Sequence, residues 1–146
     1  MAISKGSAEW QGNLEQGKGT ISLGSGGIEL PYNFAGRFED DAGSNPEELI
    51  GGAHAGCFSM ALAHALGEAG HPPARIKTTA KVSLEKTGDG FEIPAIELQT
   101  EAEVPDIDED AFQRCAQTTK QSCPVSKLLS AAEITLTAKL LSRQPG

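Results

Sequence analysis

Residues 45–66 read NPEELIGGAHAGCFSMALAHAL, and this stretch predicts one long helix that ends near Gly67. Asn45 is a favourable N-cap residue, and Pro46 suits the first helical position because its missing N–H would have no partner there. Glu48, at the third helical position, can reach back to the backbone N–H of Asn45. The start of the helix is therefore well defined by the sequence.

Three glycines lie in the first half of this helix, at Gly51, Gly52 and Gly56. Each weakens a helix by about 1 kcal/mol relative to alanine, so we expect something to approach the helix closely there. A second helix packed against the glycines would explain them, and so would open space for a substrate beside Cys57. The residues alone leave both explanations open.

Short strands are predicted on the N-terminal side of the helix. From Ala8 to Phe34 the segments SAEWQG, GKGTISLG and IELPYNF are separated by glycine-rich breaks, which is typical of a small antiparallel meander. The polar segment RFEDDAGS, residues 37–44, then predicts a loop that leads into the helix.

A second group of strands and helices is predicted after the long helix. Apolar and polar residues alternate in RIKTTAKVSLEKT and IELQTEAEV, and TGDG between them indicates a hairpin. Pro94 indicates a bulge or a sheet edge. A helix over about residues 108–121, a short helix PVSKLLS and a last strand EITLTAKLL follow. The sequence thus predicts one α+β domain, residues 1–146, with an N-terminal β-meander, a central helix and a second antiparallel sheet region with C-terminal helices.

Composition and charge exclude some classes of protein. The net charge of −8 argues against a nucleic-acid partner, because phosphate binding needs clustered Lys and Arg. The N-terminal MAISKGSAEW lacks the apolar core of a signal peptide, and we expect no window long enough to span a bilayer. We therefore predict a cytoplasmic protein with no membrane partner.

The three cysteines are an odd number, and in a reducing compartment they are better interpreted as reactive or buried thiols than as a disulfide framework. By periodicity alone Cys57 would be a core cysteine, and Cys115 lies on the apolar stripe of the second helix. Cys123 differs because it stands at the break before Pro124, where backbone N–H groups at a helix start can stabilise a thiolate.

His54 and Cys57 are spaced H-x-x-C on the long helix, and two metal ligands can have this spacing. Structural zinc requires four ligands in close pairs, and no second pair is evident in the sequence. We therefore predict no metal and interpret the helical histidines as hydrogen-bonded packing residues.

The helix dipole cannot activate Cys57, because its effect fades within the first turn and Cys57 lies roughly 18 Å beyond the cap. Another cation must do so if Cys57 is a nucleophile. Glu47, in the first turn, is compatible with the dipole whether or not it has a further role.

The segments RFEDDAGSNPEELIGGAHAGCFSMAL and SCPVSKLL together resemble the OsmC/Ohr family of peroxidases, and within it the OsmC branch. The likeness covers nearly the whole chain, from AEWQGNLEQGKGTISL to AEITLTAKLL. It implies a thiol-dependent peroxidase of organic hydroperoxides with no cofactor, reset by a thiol or dithiol reductant. It also implies an intertwined homodimer with active sites at the subunit interface.

The same resemblance implies roles for four residues. Cys57 matches the peroxidatic cysteine and Cys123 the resolving cysteine, Arg37 matches the arginine that supports the thiolate, and Glu47 matches the carboxylate that holds that arginine. Glu47 and Cys57 lie about 15 Å apart on an unbroken helix, so one straight helix cannot place both around a single Arg37. Either the helix bends at its glycines or a second subunit contributes, and we expect the second subunit.

Two other functions are compatible with the sequence. A general thiol–disulfide redox protein or sensor could use the same two cysteines without selectivity for peroxides. A non-catalytic dimeric binding protein would bury its cysteines, and its Cys57 would react slowly with alkylating agents and stay reduced in hydroperoxide.

Overall fold

The structure, a computed structural model, describes residues 1–24, 26–38 and 44–142. Contacts along the chain divide it into two compact units, residues 1–48 and 49–146. Residues 39–43 of the predicted polar loop lie outside the described residues. That all 146 residues act as one domain stays a prediction.

The first unit contains the predicted meander. Strands β1 (Gly6–Gln11), β2 (Lys18–Leu23) and β3 (Ile28–Tyr32) pair antiparallel in the order β1-β2-β3. Gly19 lies opposite Trp10 on one side and Tyr32 on the other, and the two rings approach each other to 5.4 Å between centroids. A Cβ at Gly19 would collide with both rings, so the missing side chain lets the aromatic pair cover the strand.

Helix α1 (Pro46–Glu68) begins where the sequence predicts. The Asn45 Oδ1 atom accepts a hydrogen bond of 2.8 Å from the backbone N–H of Glu48, which confirms Asn45 as the N-cap. At the other end His71 N–H donates to the carbonyl of Leu66, and Gly70 takes a φ of 87°. Glycine adopts this left-handed conformation readily, so it ends the helix.

The second unit is built on a three-stranded sheet. Strands β4 (Arg75–Val82), β7 (Ala95–Glu103) and β8 (Glu133–Ser142) have the order β4-β7-β8. The short strands β5 (Glu85–Thr87) and β6 (Gly90–Glu92) form a separate hairpin at the predicted TGDG turn. Helices α2 (Glu109–Ser122) and α3 (Pro124–Leu128) come between β7 and β8.

The prediction of a second antiparallel sheet needs one correction. Strand β4 pairs antiparallel with β7 as predicted, but β8 pairs with β7 in parallel, with Leu98 opposite Leu136. Two parallel strands need a long crossover connection, and here α2 and α3 supply it. Alternation alone could not show this, because a strand has the same apolar period in either direction.

The core of this unit lies between α1, α2 and the sheet. Fully buried side chains come from all three elements: Phe58, Leu62, Leu66, Leu98, Ala102, Phe112 and Ala116. The alternation predicted for β4 and β7 is confirmed, since their apolar positions are the less exposed ones. On that same face the Thr78 hydroxyl of β4 pairs with the Ser59 hydroxyl of α1 at 2.7 Å and with the Thr100 hydroxyl of β7 at 2.9 Å.

By length and composition alone α1 could cross a membrane, which corrects the expectation that no window reaches that length. One such helix is weak evidence, because the core helix of a globular protein passes the same test. In this chain Phe58, Leu62 and Leu66 of α1 are fully buried in the core described above.

Candidate functional site

The structure brings Cys57 and Cys123 together. Their Sγ atoms lie 2.9 Å apart, and both are free thiols. A disulfide bond is about 2.05 Å long, so the two sulfurs need to approach by only about 0.9 Å to form one. Cys57 is partly exposed on α1, whereas Cys123 is fully buried. The arrangement can form and open a disulfide.

Cys123 is held by the junction of two helices. Its backbone N–H donates to Thr119 O at the end of α2, and its carbonyl accepts from Lys127 N–H in α3, each at 3.0 Å. Pro124 begins α3, where it needs no hydrogen-bond acceptor. The predicted helix start at this cysteine is therefore confirmed, and hydrogen bonds to both helices hold the Cys123 backbone.

The two thiols have different electrostatic surroundings. Burial raises the pKa of Cys57, and its hydrogen bond with Cys123 raises it further. Burial also acts to raise the pKa of Cys123, but hydrogen bonds from Cys57, Ser126 and Val125 outweigh it and lower the pKa overall. If one thiol of the pair is deprotonated, these neighbours favour the negative charge on the Cys123 sulfur rather than on the Cys57 sulfur. Cys57 therefore needs a cation besides these groups to be the nucleophile.

His54 lies next to this pair on α1 and is fully buried. Its Nε2 atom is 2.7 Å from the Oγ atom of Ser126, which is also buried, while Nδ1 has no hydrogen-bond partner among the described residues. Burial lowers the pKa of His54, so the ring is neutral near pH 7. The interpretation of His54 as a hydrogen-bonded packing residue is confirmed, but no sequence pattern indicates Ser126 as its partner.

Arg37 and Glu47 pair within the first unit. The Arg37 Nε atom lies 3.1 Å from Glu47 Oε1. Arg37 ends a 3₁₀ turn, Ala35–Arg37, and Asn45 Nδ2 donates to the Gly36 carbonyl of that turn at 2.7 Å. Since Asn45 is also the N-cap of α1, one side chain ties the turn that carries the arginine to the helix that carries the glutamate.

The Glu47 carboxylate is buried, and neither of its oxygens has a hydrogen-bond donor in the described parts of the chain. The contact with Arg37 is a charge pair whose N–H does not point directly at the oxygen. A buried carboxylate without hydrogen bonds depends strongly on its counter-ion. The charge of Arg37 therefore stabilises the buried Glu47 carboxylate.

A cavity of about 190 Å³ opens beside Arg37. Three aromatic residues, Trp10, Tyr32 and Phe34, line the cavity together with Arg37. Such a lining suits an apolar group next to a cation. No sequence pattern singled out these aromatic residues.

The remaining predicted features concern Cys115 and metals. Cys115 is partly buried on α2 and packs against the core, as its periodicity predicts. Within residues 1–24, 26–38 and 44–142, no group of three or more His, Cys, Asp or Glu side chains could hold a metal ion.

Comparison with known proteins gives close relatives. Residues 39–139 match the family described as OsmC-like protein. The chain is 53% identical over 139 residues to a protein of Escherichia coli (strain K12) named peroxiredoxin OsmC. That alignment covers 94% of this chain and 96% of the relative.

Solved structures share the fold. An organic hydroperoxide resistance protein from Elizabethkingia anophelis superposes with a TM-score of 0.72 at 23% identity, covering 95% of this chain and 98% of that one. An OsmC-like protein from Mycoplasma pneumoniae gives a TM-score of 0.75 at 14% identity, covering 95% of this chain and 97% of that one. The predicted fold class is thereby confirmed.

Proposed function

Because this chain belongs to the OsmC family, we propose that it is a thiol-dependent peroxidase that reduces organic hydroperoxides to alcohols. The family and the 53% identity to a protein named a peroxiredoxin support the peroxidase activity. The observation that carries the proposal is the 2.9 Å distance between the Cys57 and Cys123 sulfurs. We take residues 1–146 as one domain, since the alignment with that relative spans 94% of the chain.

The chemistry proceeds through Cys57 in two steps. The Cys57 thiolate attacks the terminal peroxide oxygen, the O–O bond breaks, and the alkoxide leaves and takes up a proton to become an alcohol. Cys57 then carries a sulfenic acid. Cys123 attacks this sulfur as a thiolate, the S–S bond forms, and hydroxide leaves and is protonated to water. The buried Cys123 is close enough to react before solvent thiols do.

A thiol or dithiol reductant returns the enzyme to its starting state by two successive exchanges. The proposal requires no metal and no organic cofactor, because all the electrons come from the two cysteines and the reductant. It also requires no nucleic-acid or membrane partner, and the charge of −8 agrees with this. A pool of reduced thiols is found in the cytoplasm, which is the compartment we propose.

Arg37 is the cation that we assign to the Cys57 thiolate, with Glu47 holding the arginine. Burial and Cys123 disfavour charge on Cys57, and a guanidinium nearby would offset both effects. Because α1 is continuous over Pro46–Glu68, Glu47 and Cys57 of one chain lie about 15 Å apart. We therefore propose that Arg37 and Glu47 of one subunit serve Cys57 of its partner.

An apolar face of α1 supports a homodimer. Between Leu49 and Leu66 the helix carries no Asp, Glu, Lys or Arg side chain, and helices this apolar are normally covered on all sides. Yet Gly52 and Gly56 have nothing within 4 Å of their missing side chains, and Met60 is 77% exposed. Leu128 of α3 is 80% exposed as well. A second copy of the chain would bury these groups.

An aromatic cavity supports an organic substrate. The walls of the cavity beside Arg37 would hold an alkyl or aryl group, while the guanidinium would attract the peroxide oxygens. Hydrogen peroxide has no group to fill such a cavity. We therefore expect the enzyme to prefer organic hydroperoxides.

The test is peroxide consumption with dithiothreitol as the reductant. Wild type should consume cumene and tert-butyl hydroperoxide faster than hydrogen peroxide, and Cys57→Ser should abolish turnover. Cys115→Ser is the matched control and should keep it. Turnover that survives in Cys57→Ser contradicts the proposal. A protein that exchanges disulfides with dithiols but consumes no peroxide would instead be the general redox protein that the thiol pair also permits.

A further inference from the structure

His54 and Ser126 form a buried hydrogen bond that the peroxidase chemistry above does not use. The Nε2 atom of His54 lies 2.7 Å from the Oγ atom of Ser126, although the two residues are 72 positions apart in the chain. Both side chains are almost completely buried. The Nδ1 atom of His54 has no partner in the described parts of the chain, so the imidazole depends on Ser126 for its hydrogen bond. The bond joins α1 directly to α3.

This bond lies close to the two sulfurs on both helices. Along α1, His54 precedes Cys57 by three positions. Cys123 is the N-cap of α3 and precedes Ser126 by three positions. Residues three positions apart on a helix are neighbours on one face. The 2.7 Å hydrogen bond and the 2.9 Å contact of the sulfurs are therefore adjacent links between the same two segments.

Helix α3 contributes few buried side chains of its own. All five of its residues are described, and among them Ser126 is the one that is buried. Val125 is partly buried against the core, whereas Lys127 and Leu128 are exposed. A hydrogen bond holds its two atoms within a narrow range of distances, and breaking it in the interior leaves two polar groups unsatisfied. The bond to His54 therefore restrains α3 in a way that an apolar side chain at Ser126 would not.

The position of α3 controls how well Cys123 can capture an oxidised Cys57. Sulfurs held 2.9 Å apart react as if each were present at very high concentration, because no diffusional encounter is needed. Since Cys123 caps α3, any movement of α3 away from α1 carries the Cys123 sulfur with it. Such a movement slows disulfide closure and lengthens the life of the Cys57 sulfenic acid.

We propose that His54 and Ser126 are positioning residues, whose hydrogen bond fixes α3 to α1 and keeps the Cys123 sulfur within reach of the oxidised Cys57. This role rests on the disulfide cycle proposed above. It also protects Cys57. A sulfenic acid that is not captured attacks a second hydroperoxide through its sulfur, the O–O bond breaks, the alkoxide leaves and is protonated, and Cys57 becomes a sulfinic acid that thiols do not reduce.

The first experiment measures the equilibrium between the Cys57–Cys123 disulfide and dithiothreitol, without peroxide. Cys115 is replaced by Ala in every variant, and free thiols are counted after equilibration at a series of ratios of reduced to oxidised dithiothreitol. Ser126→Ala and His54→Phe should each lower the equilibrium constant for disulfide formation about two- to tenfold, which is the range expected for the loss of one hydrogen bond. A tenfold fall corresponds to a rise in reduction potential of about 30 mV.

Two comparisons distinguish positioning from a general loss of stability. His54→Gln places an amide near the Nε2 position, which can still donate to or accept from Ser126, and it should restore most of the constant. Ser59→Ala is the matched control, since it removes another 2.7 Å hydrogen bond of α1, one that leads to Thr78 of β4 and not to α3. It should lower the free energy of unfolding in urea but leave the disulfide equilibrium unchanged.

The variant that combines His54→Phe with Ser126→Ala tests whether the two residues act as a pair. If their bond is responsible, the double variant should be no worse than the more affected single variant, because one bond can be lost only once. Effects that add in the double variant would overturn the proposal, since each residue would then act alone.

The second experiment measures how much Cys57 is lost to over-oxidation. The reduced Cys115→Ala protein is treated with a large excess of cumene hydroperoxide, and the sulfinic acid at Cys57 is quantified by mass spectrometry. Ser126→Ala should increase the sulfinic fraction several-fold, whereas Ser59→Ala should not. Equal fractions in Ser126→Ala and its parent would overturn the inference. If the peroxide oxidises Cys57 in neither protein, the peroxidase proposal is contradicted and the first experiment alone decides the inference.

The outcomes of the first experiment separate this inference from the proposed function. An unchanged constant in folded Ser126→Ala, or an equal fall in Ser59→Ala, would overturn the inference even if peroxide turnover is normal. If Ser126→Ala does not fold, His54→Gln and His54→Phe decide the question, and equal constants in these two would overturn it. Conversely, a lowered constant in a protein that consumes no peroxide would support the inference and contradict the peroxidase proposal, since the dithiothreitol equilibrium needs no peroxide.

Discussion

Closing the Cys57–Cys123 disulfide should stabilise the folded protein strongly. The two cysteines are 66 residues apart in the chain, so the bond removes much of the freedom of the unfolded chain. In the chain-entropy description a loop of this size lowers the unfolded-state entropy by about 15 cal/mol/K, which is about 4 kcal/mol at 25 °C. The folded state loses little of this gain, because its sulfurs already lie 2.9 Å apart.

The assay is urea unfolding of the Cys115→Ala protein, once oxidised with diamide and once fully reduced. Both forms are measured at the same protein concentration, because the proposed homodimer would become more stable as its concentration rises. The oxidised form should be more stable by about 4 kcal/mol. For a chain of this length that difference corresponds to a rise in Tm of roughly 10 °C. Cys57→Ser and Cys123→Ser should show no response to the oxidant.

An oxidised protein that unfolds at the same urea concentration as the reduced one, or at a lower one, would refute the reasoning. It would mean that forming the bond distorts the folded state by as much as it constrains the unfolded chain. The junction between α2 and α3 would then have to move on oxidation. Such a result would also argue against a pair of sulfurs that is ready to react.

Three further predictions follow from single residues. Gly51→Ala should destabilise the protein, because the added Cβ would lie 3.1 Å from a backbone carbonyl of β4. Gly52→Ala has open space in the chain and should raise the free energy of unfolding in urea by up to about 1 kcal/mol. Arg37→Ala should slow oxidation of Cys57 by cumene hydroperoxide roughly tenfold to a hundredfold in stopped-flow measurements, with Arg37→Lys in between, and an unchanged rate would exclude the arginine from the site. Burial lowers the pKa of His54, so as the pH falls the imidazole is protonated in the unfolded chain before it is protonated in the folded protein. The free energy of unfolding should therefore decrease below about pH 6.5, by up to about 1.36 kcal/mol per pH unit. His54→Gln should lack this contribution. If urea unfolding shows that wild type and His54→Gln lose the same amount of stability between pH 7.5 and pH 5.5, this prediction is wrong.

The meander, the start of α1 and the buried faces of β4 and β7 could be predicted because local chemistry determines them. Asn45 caps α1 through a bond to a residue three positions away, and alternation is a property of each strand alone. Cys123 was singled out by its position before Pro124, whereas Cys57 was assigned as a reactive cysteine only through the resemblance. Periodicity by itself placed Cys57 in the core.

The glycines of α1 show where local patterns stop being informative. Gly51 and Gly52 are adjacent and identical in type, yet Gly51 is buried against β4 and Gly52 faces open space. The element that approaches Gly51 closely is therefore strand β4 and not a second helix. No property of either residue distinguishes them, because the difference lies in which side of the helix the sheet occupies.

By itself, the sequence determined most of the helices and strands, the start of α1 and the buried faces of β4 and β7, since these depend on neighbours a few positions apart. Only the tertiary structure decided the parallel pairing of β8, the approach of Cys57 to Cys123, and the contact of His54 with Ser126. The members of each such pair lie dozens of residues apart in the chain. Their contacts arise from the packing of α1, α2, α3 and the sheet around one core, which a local pattern does not encode.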